Sequence, residues 1–356
     1  MTDPVMKGQF RMLATKVVTI TDPIGNEALL NQAGQIIREG GLVVFPTETV
    51  YGLGGNATNA EAAGKIYAAK GRPSDNPLII HIEKPSDAEK YCYTNDFYYR
   101  LAEKFMPGPL TVILPKKDTI PHSVTGGLDT VAVRCPAQPV ARALIAAAGV
   151  PIAAPSANLS GKPSPTNAEH VIQDMMGRVD MVIDGGACEI GLESTIVSLH
   201  GNTATLLRPG AITYDALCCV CDKVEIAAAV SHQLAENERP LSPGMKYKHY
   251  APSAPFVLLD GTAEDVLHFL QTKQKEENCA ILCYDEEIPH LSSGRLLPVG
   301  ARDDLSVQAH RLFDALRRTE EMKVDIIYGH LPPMDGIGLA LYNRMIRAAA
   351  HTIQKV

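Results

Sequence analysis

Short apolar runs alternate with stretches of helical periodicity along most of the chain, and this alternation restricts the fold more than any other feature. Residues 27–38 and 60–70 carry apolar side chains at helical spacing, whereas 42–45 and 77–82 are apolar runs bounded by turn formers. Several later strands follow one another without an intervening helix, so the pattern predicts an α/β fold with parallel and antiparallel neighbours in one sheet. The later predicted strands are 111–114, 130–134, 152–154, 181–183, 195–199 and 204–207, with helices at 139–148 and 167–176.

A change in composition after residue 214 predicts a second domain. Prolines, glycine and polar side chains are concentrated in 239–252, which is typical of a linker. Beyond it lies a βαβ pattern, with apolar runs at 256–259, 280–284 and 324–328 and helical stretches at 263–275, 305–320 and 339–352. We therefore expect a loose N-terminus at 1–16, a first domain at 17–214, a linker at 215–254 and a smaller α/β domain at 255–356.

The overall charge and composition make some classes of protein less favourable. The formal net charge is -7, and only 5% of the residues are aromatic, with no tryptophan, which does not favour a protein that binds long nucleic acids. No apolar run is long enough to span a bilayer. The eight cysteines are scattered in a chain large enough to fold without disulfide bonds. We expect a protein of the reducing cytoplasm without a membrane partner.

Four cations stand at or just beyond the ends of predicted strands and helices. Lys70 and Arg72 belong to a loop constrained by glycine and proline, Arg134 ends an apolar strand, and Arg208 follows another strand. Sites in α/β proteins lie beyond strand ends, so these side chains together would form a local positive basin for an anionic substrate. Each also has an ordinary alternative, namely a helix C-terminus, a structural salt bridge or a solvated surface position.

Several common catalytic and binding signatures are absent from the sequence. No segment carries the complete P-loop or dinucleotide-binding pattern. Neither Ser156 nor Ser194 stands in a G-x-S-x-G elbow, which argues against a serine hydrolase. Cys218, Cys219 and Cys221 lack a second pair of ligands at zinc-site spacing, so they are interpreted as small apolar residues.

Four ordered motifs resemble the YrdC-like threonylcarbamoyl-AMP synthases, and the resemblance covers residues 34–213. Segments around Glu193 and Arg208 continue it, and the linker motif 242–252 with the second domain is similar to the two-domain branch of that family. The resemblance implies an open twisted mixed sheet with a concave positive cavity in a YrdC-like catalytic domain, a linker that serves as a lid, and a Rossmann-like C-terminal domain. The four motifs are TETVYGL at 47–53, KGRPSDNPL at 70–78, PGPLT at 107–111 and PSANLSG at 155–161.

The family also implies a reaction and a set of site residues. L-threonine, bicarbonate or carbon dioxide, and ATP would give threonylcarbamoyl-AMP and pyrophosphate, a nucleotidyl transfer that serves threonylcarbamoyladenosine modification of tRNA next to the anticodon. Lys70 and Arg72 would be catalytic. Threonine would be held by Thr49, His81, Arg134, Ala154 and Ser194. ATP would be held by Lys70, Arg72, Asn76, Thr130, Ser156, Asn158, Ser164, Arg208, Tyr247 and Tyr250.

Further expectations concern cofactors and partners. The resemblance implies Mg²⁺ carried by ATP, with no metal ligand from protein side chains, no zinc and no organic cofactor. The product would pass to the downstream tRNA threonylcarbamoyl transferase machinery, without tight direct binding of nucleic acid. Three alternatives stay open at this point: an RNA-binding module that uses the positive cavity, a domain that adenylates carbamoyl phosphate, and a regulatory or scaffold protein.

Overall fold

The structure is a computed structural model that describes residues 13–230, 249–292 and 294–356. Its described residues form two sheets, one of eleven strands and one of five. The larger sheet contains β1 (Lys16–Thr19), β2 (Val43–Phe45), β3 (Gly52–Asn56), β4 (Ile79–His81), β5 (Leu110–Pro115), β6 (Thr130–Arg134), β7 (Ile152–Ala153), β8 (Met181–Asp184), β9 (Thr195–His200), β10 (Thr203–Arg208) and β11 (Lys223–Ile226). The helices of this part are α1 (Glu27–Arg38), α2 (Ala60–Lys70), α3 (Asp96–Phe105), α4 (Pro139–Ala148), α5 (Ala168–Met175) and α6 (Tyr214–Cys218).

The larger sheet is mixed, as the sequence predicted. Its strand order is β1-β8-β2-β3-β7-β4-β6-β5-β9-β10-β11. The pair β4 and β6 is parallel and brings His81 opposite Arg134, whereas β5 and β6 are antiparallel. Strand β11 pairs with β10, so this sheet continues beyond residue 214 into the segment predicted as linker. The domain boundaries themselves stay a prediction.

Local sequence explains where helix α2 begins and ends. The side chain of Asn59 accepts hydrogen bonds from the backbone N–H groups of Glu61 and Ala62, which caps the first turn. Gly71 follows the helix with φ of +62°, a left-handed conformation that glycine adopts without strain. The chain therefore turns sharply after Lys70, and the loop that begins with Arg72 leaves the helix towards the sheet.

Strand β3 was not predicted, because its sequence GLGGN lacks the side chains typical of strands. The glycines are required by packing: a Cβ at Gly54 would lie 2.7 Å from Ile152 Cγ2 and 2.8 Å from Phe45 Cε1. Close approach of neighbouring side chains, which periodicity does not reveal, selects glycine at this position.

The smaller sheet is entirely parallel, with the order β14-β13-β15-β12-β16. It confirms the expected smaller α/β unit of the Rossmann-like kind. Two of its strands were missed, and the last helix ends at residue 348 rather than 352. Its elements are β12 (Phe256–Asp260), α7 (Ala263–Glu276), β13 (Cys279–Tyr284), β14 (Leu296–Gly300), α8 (Leu305–Met322), β15 (Ile326–His330), α9 (Gly338–Ala348) and β16 (Ile353–Lys355).

The two sheets are joined by a shared apolar cluster. Val50 and Leu192, in loops of the larger unit, pack in one buried cluster with Phe313 of α8 and Leu341 of α9. Helices α8 and α9 therefore lie between the smaller sheet and the loops at the strand ends of the larger one. No helix in the described ranges is long and apolar enough to cross a membrane.

Candidate active site

A cavity lies where several strands of the larger sheet end. The C-terminal ends of β4, β6 and β10 place His81, Arg134 and Arg208 in its wall, and the loop after α2 adds Arg72. The space in and around the cavity, open solvent included, is about 700 Å³. The rest of the wall consists of Thr47, Val50, Tyr51, Gly52, Lys70, Ile79, Ala154, Pro155, Ser156, Asn158, Ser160, Gly161, Ser164, Glu193, Ser194, His249 and Tyr250.

The four cations predicted from separate segments share this one wall. Lys70, Arg72, Arg134 and Arg208 all contribute to it, and none of the four is more than 9% exposed. Glu193 is a carboxylate in the same wall. Buried cations require acceptors or counter-charges, so the partners of each one decide what the cavity can bind.

Lys70 is held by main-chain oxygens of the loop that follows β7. Its Nζ donates hydrogen bonds to the carbonyls of Ser156 and Asn158. Burial, followed by the positive charge of Arg72, holds the pKa of Lys70 well below its usual range. An anion that enters the cavity would stabilise the charged form of this amine.

Arg72 folds back over its own loop. Its Nη2 donates to the carbonyl of Pro77 at 3.0 Å and approaches the carbonyl of Asn76 at 3.4 Å. Tyr67 also donates to the Asn76 carbonyl, at 3.2 Å. The loop therefore fixes the guanidinium of Arg72 before any ligand is bound.

Arg134 is paired with a buried carboxylate. Its Nη2 lies 2.7 Å from Glu48 Oε1, and Glu48 Oε2 accepts a hydrogen bond from the backbone N–H of Ala137 at 3.2 Å. Burial raises the pKa of Glu48, but the charge and hydrogen bond of Arg134 outweigh that effect and leave this pKa below its usual value. The salt bridge that the sequence left open as an alternative is therefore present, while Arg134 also faces the cavity.

Arg208 is tied to the backbone that carries Ser194. Its Nε donates to the Ser194 carbonyl at 3.0 Å and its Nη2 to Ser194 Oγ at 3.1 Å. Burial lowers the pKa of Arg208 to about 10, although the charge of Glu193 opposes this shift. Glu193 in turn accepts from Ser164 Oγ and pairs with Arg344 of α9, whose Nε lies 3.0 Å from Glu193 Oε2.

Two histidines in the wall are neutral. Burial lowers the pKa values of His81 and His249 to about 3, with a further contribution from Arg134 at His81 and from Arg72 at His249. Within the described residues, His81 Nδ1 has no hydrogen-bond partner. It is therefore a buried polar atom in the wall that a ligand could engage.

Tyr250 connects the cavity with the smaller unit. Its backbone has φ of 62°, uncommon for a residue other than glycine, and its side chain is buried. The ring lies 5.1 Å from the ring of Phe313 on α8. The predicted linker thus reaches the cavity wall through Tyr250, whereas Tyr247 lies outside the described residues.

Three predicted ligand residues do not lie in the wall. Thr130 starts β6 and pairs with Pro115, at the opposite end of the strand from Arg134. Asn76 belongs to the same loop as Arg72 and is buried, but it does not line the cavity. Thr49 is also buried, and its hydroxyl bonds to the Thr47 hydroxyl at 2.9 Å, which does face the cavity. Of these side chains, that of Thr49 supports the wall through Thr47.

Other functional positions were missed at the sequence level. Tyr51 belongs to the first motif and anchors the wall by donating a hydrogen bond to the Gly186 carbonyl at 2.6 Å. Glu193 directly precedes Ser194, a predicted ligand residue, so the sequence did indicate that this segment lies near the site. Arg344 lies on a helix of the other unit, and nothing in its local sequence indicates a contact with Glu193.

The described ranges contain no group of three or more His, Cys, Asp or Glu side chains that could hold a metal ion. The polar groups of the cavity are cations, hydroxyls, an amide and two imidazoles, and its carboxylate Glu193 is occupied by Ser164 and Arg344. This set lacks the free carboxylates with which protein side chains bind Mg²⁺ directly.

Two known protein families match this chain, one over each of its two parts. Residues 35–210 match the protein family described as Telomere recombination, which groups Sua5, YciO and YrdC proteins, and residues 212–350 match the family described as Threonylcarbamoyl-AMP synthase, C-terminal domain. The threonylcarbamoyl-AMP synthase of Bacillus subtilis is 46% identical over 336 residues, which cover 93% of this chain and 96% of that protein.

A protein of Pyrococcus abyssi is also similar over nearly the full length. The threonylcarbamoyl-AMP synthase of Pyrococcus abyssi is 41% identical and covers 96% of this chain and 100% of that protein. The crystal structure of P. abyssi Sua5 complexed with L-threonine superposes with a TM-score of 0.88 at 40% identity, over 96% of this chain and 100% of that one. The chain therefore belongs to the threonylcarbamoyl-AMP synthase family of enzymes, in its two-domain form.

Proposed function

We propose that this protein is a nucleotidyltransferase that converts L-threonine, bicarbonate or carbon dioxide, and ATP into threonylcarbamoyl-AMP and pyrophosphate. The product is the activated donor for threonylcarbamoyladenosine modification of tRNA. Membership of the family supports this assignment. The observation that carries it is the convergence of Lys70, Arg72, Arg134 and Arg208 in one buried wall, because the reaction must bring two anions together.

The reaction requires charge neutralisation rather than a protein nucleophile. The threonine amine adds to carbon dioxide and loses a proton, which gives a carbamate anion. A carbamate oxygen then forms a bond to the α-phosphorus of ATP, the bond from that phosphorus to the bridging oxygen breaks, and its electron pair leaves with pyrophosphate. Both reactants are negative, so donors fixed before binding lower the barrier most effectively.

The residues divide into two groups in this proposal. Lys70, Arg72 and Arg208 bind the phosphates and nucleotide, helped by the hydroxyls and amide of Ser156, Asn158 and Ser164. Arg134, His81 and Ser194 bind threonine, with Arg134 directed at its carboxylate. The unpartnered Nδ1 of His81 provides a neutral polar contact there.

The cofactor and the location complete the proposal. Mg²⁺ enters on the ATP phosphates and neutralises part of their charge, because the cavity offers no set of carboxylates for it. All eight cysteines are free, which supports a reducing compartment such as the cytoplasm. Downstream transfer to tRNA belongs to other proteins that accept the labile product.

Purified protein tests the proposal directly. With ATP, Mg²⁺, bicarbonate and L-threonine, we expect pyrophosphate release that depends on threonine and on bicarbonate, together with a product that carries both threonine carbon and adenylate. Serine and valine serve as amino-acid controls. Pyrophosphate release that is the same with and without threonine would contradict the proposal.

A further inference from the structure

Arg344 of α9 crosses from the smaller unit into the loops of the cavity. Its side chain is fully buried. Besides the ion pair with Glu193, its Nη1 donates to the Pro209 carbonyl at 2.6 Å and its Nη2 to the Glu193 carbonyl at 3.3 Å. One guanidinium therefore binds the residue before Ser194 and the residue after Arg208.

The Glu193 side chain extends this connection to a third segment of the wall. Its Oε2 faces Arg344 while its Oε1 accepts from Ser164 Oγ. Burial raises the pKa of Glu193, but the charges of Arg344 and then Arg208 outweigh it and lower this pKa to about 2. Glu193 is thus ionised and binds two partners at once, and Ser164 is a wall residue.

Arg317 of α8 makes a second connection of the same kind. Its Nη2 donates to Asp174 Oδ2 and to the Pro163 carbonyl, both at 2.7 Å. Asp174 Oδ2 also accepts from the backbone N–H of Leu159 at 3.2 Å. The loop between Leu159 and Ser164 is therefore held at both ends by an ion pair that spans the two units.

We propose that Arg344 is a positioning residue for the cavity: from the smaller unit it fixes the segments that present Ser164 and Arg208, proposed for the nucleotide, and Ser194, proposed for threonine. Arg317 supports the same loop from the neighbouring helix. The kinetic consequence of this inference rests on the proposed function. The inference also gives the C-terminal domain a role at a cavity for which none of its residues is proposed as a ligand.

The competing explanation is that Arg344 and Glu193 form a purely structural salt bridge. A positioning role and a structural role make different predictions for a double variant in which both side chains are neutral. Removing Arg344 alone leaves the Glu193 carboxylate buried without its counter-charge, which destabilises the fold whatever the role of Arg344. Removing both charges relieves that penalty. The bonds from Arg344 to the Glu193 and Pro209 carbonyls are still lost, so a positioning role predicts a defect that persists when stability returns.

The experiment compares Arg344→Met, Arg344→Lys, Glu193→Gln and the double variant Arg344→Met with Glu193→Gln in the full-length protein, and Glu193→Gln alone measures the effect of losing the wall carboxylate. The control is His310→Ala, which removes another hydrogen bond between the units, from His310 Nδ1 to the Glu189 carbonyl at 3.0 Å. Three measurements are made on each: melting temperature, steady-state kinetics of threonine-dependent pyrophosphate release, and hydrogen exchange of the backbone amides at 159–164 and 193–210.

We expect Arg344→Met to raise the KM for ATP by about tenfold or more, which corresponds to the loss of hydrogen bonds from a charged donor. The double variant regains a melting temperature near that of the wild type but keeps the raised KM and the faster exchange in both segments. The KM of Arg344→Lys for ATP lies between those of the wild type and Arg344→Met, because an ammonium retains the charge without the planar fork of the guanidinium. His310→Ala keeps wild-type kinetics and wild-type exchange in these segments.

Recovery of a wild-type KM and wild-type exchange in the double variant would show that Arg344 is only a structural partner of Glu193. Unchanged exchange at 159–164 and 193–210 in all Arg344 variants would overturn the proposal by itself. If the wild-type protein released no pyrophosphate in response to threonine, the proposed function would fail, and hydrogen exchange would still decide whether Arg344 positions these segments.

Discussion

Replacing Lys70 by Met tests the assignment of this amine as a phosphate ligand. The substitution retains a side chain of similar length and removes the charge that lies between α2 and the loop after β7. It also removes the hydrogen bonds to the carbonyls of Ser156 and Asn158. Lys70 has a structural role, through these hydrogen bonds, and a proposed role as a phosphate ligand. The two can be separated because the expected losses of stability and of activity differ in size.

The expected loss of stability is modest because two terms oppose each other. Hydrogen bonds from a charged donor contribute about 1.5–3 kcal/mol each. Against this, burial penalises the ammonium of Lys70, as its lowered pKa shows, and Met relieves that penalty. We expect a net loss of about 1–3 kcal/mol and a fall in melting temperature of less than about 10 °C.

The expected loss of activity is much larger. A donor fixed before binding and directed at developing negative charge contributes about 100- to 1,000-fold to turnover. We therefore expect the Lys70→Met protein to retain no more than about 1% of the threonine-dependent pyrophosphate release. Lys65→Met is the matched control: Lys65 lies on the same helix and donates to a backbone carbonyl, that of Gly40, away from the cavity.

The pH dependence provides a second measurement on the same proteins. The ammonium form of Lys70 attracts phosphate, so ATP affinity decreases as pH rises through its lowered pKa. The Met variant lacks this dependence, whereas the Lys65→Met control retains it. Activity above a tenth of the wild-type value in a folded Lys70→Met protein would refute the assignment, as would a pH profile identical to that of the wild type.

Three other outcomes follow from the geometry. Arg134→Lys should raise the KM for threonine about tenfold while changing the KM for ATP little, because an ammonium cannot match a carboxylate bidentately, and kinetics at varied threonine check this. Below pH 6.5 the unfolded chain protonates His81 while the folded one, with a pKa of about 3, does not. The contribution of His81 to stability should therefore fall by roughly 1 kcal/mol per pH unit as pH decreases towards 4; denaturant midpoints should show a shallower pH dependence for His81→Asn. Gly54→Ala should cost about 1–3 kcal/mol by crowding Ile152, whereas Gly64→Ala on α2, where a Cβ meets nothing within 4 Å, should stabilise by about 1 kcal/mol in the same thermal melts.

The order of strands and helices was largely predictable because each depends on local periodicity. Helices α1 and α2 begin and end where the apolar spacing and turn formers indicated. The rule that sites lie beyond strand ends also correctly predicted that Arg134 and Arg208 line one cavity. Thr130, which only the resemblance implied as an ATP ligand, lies at the opposite end of β6 from Arg134, and local sequence does not indicate which end of a strand faces the site.

The remaining features depend on contacts between distant parts of the chain. Arg344 and Arg317 lie more than a hundred positions from Glu193 and Asp174, their partners in the folded protein. Local propensity carries no information about such pairs. The order of strands in the larger sheet is equally non-local, because β8 lies between β1 and β2.

The partners of the four cations explain how one fold keeps them buried and still available. Carbonyl groups bind Lys70 and Arg72, Glu48 pairs with Arg134, and Ser194 binds Arg208. Backbone carbonyls carry partial charges only, so a phosphate oxygen that approaches Lys70 gains a full charge interaction without displacing a counter-ion. At Arg134, by contrast, an incoming carboxylate must share the guanidinium with Glu48. Under the proposed function, Lys70 therefore favours strong anion binding and Arg134 favours selective binding, because only a ligand that also satisfies the neighbouring donors compensates for the presence of Glu48.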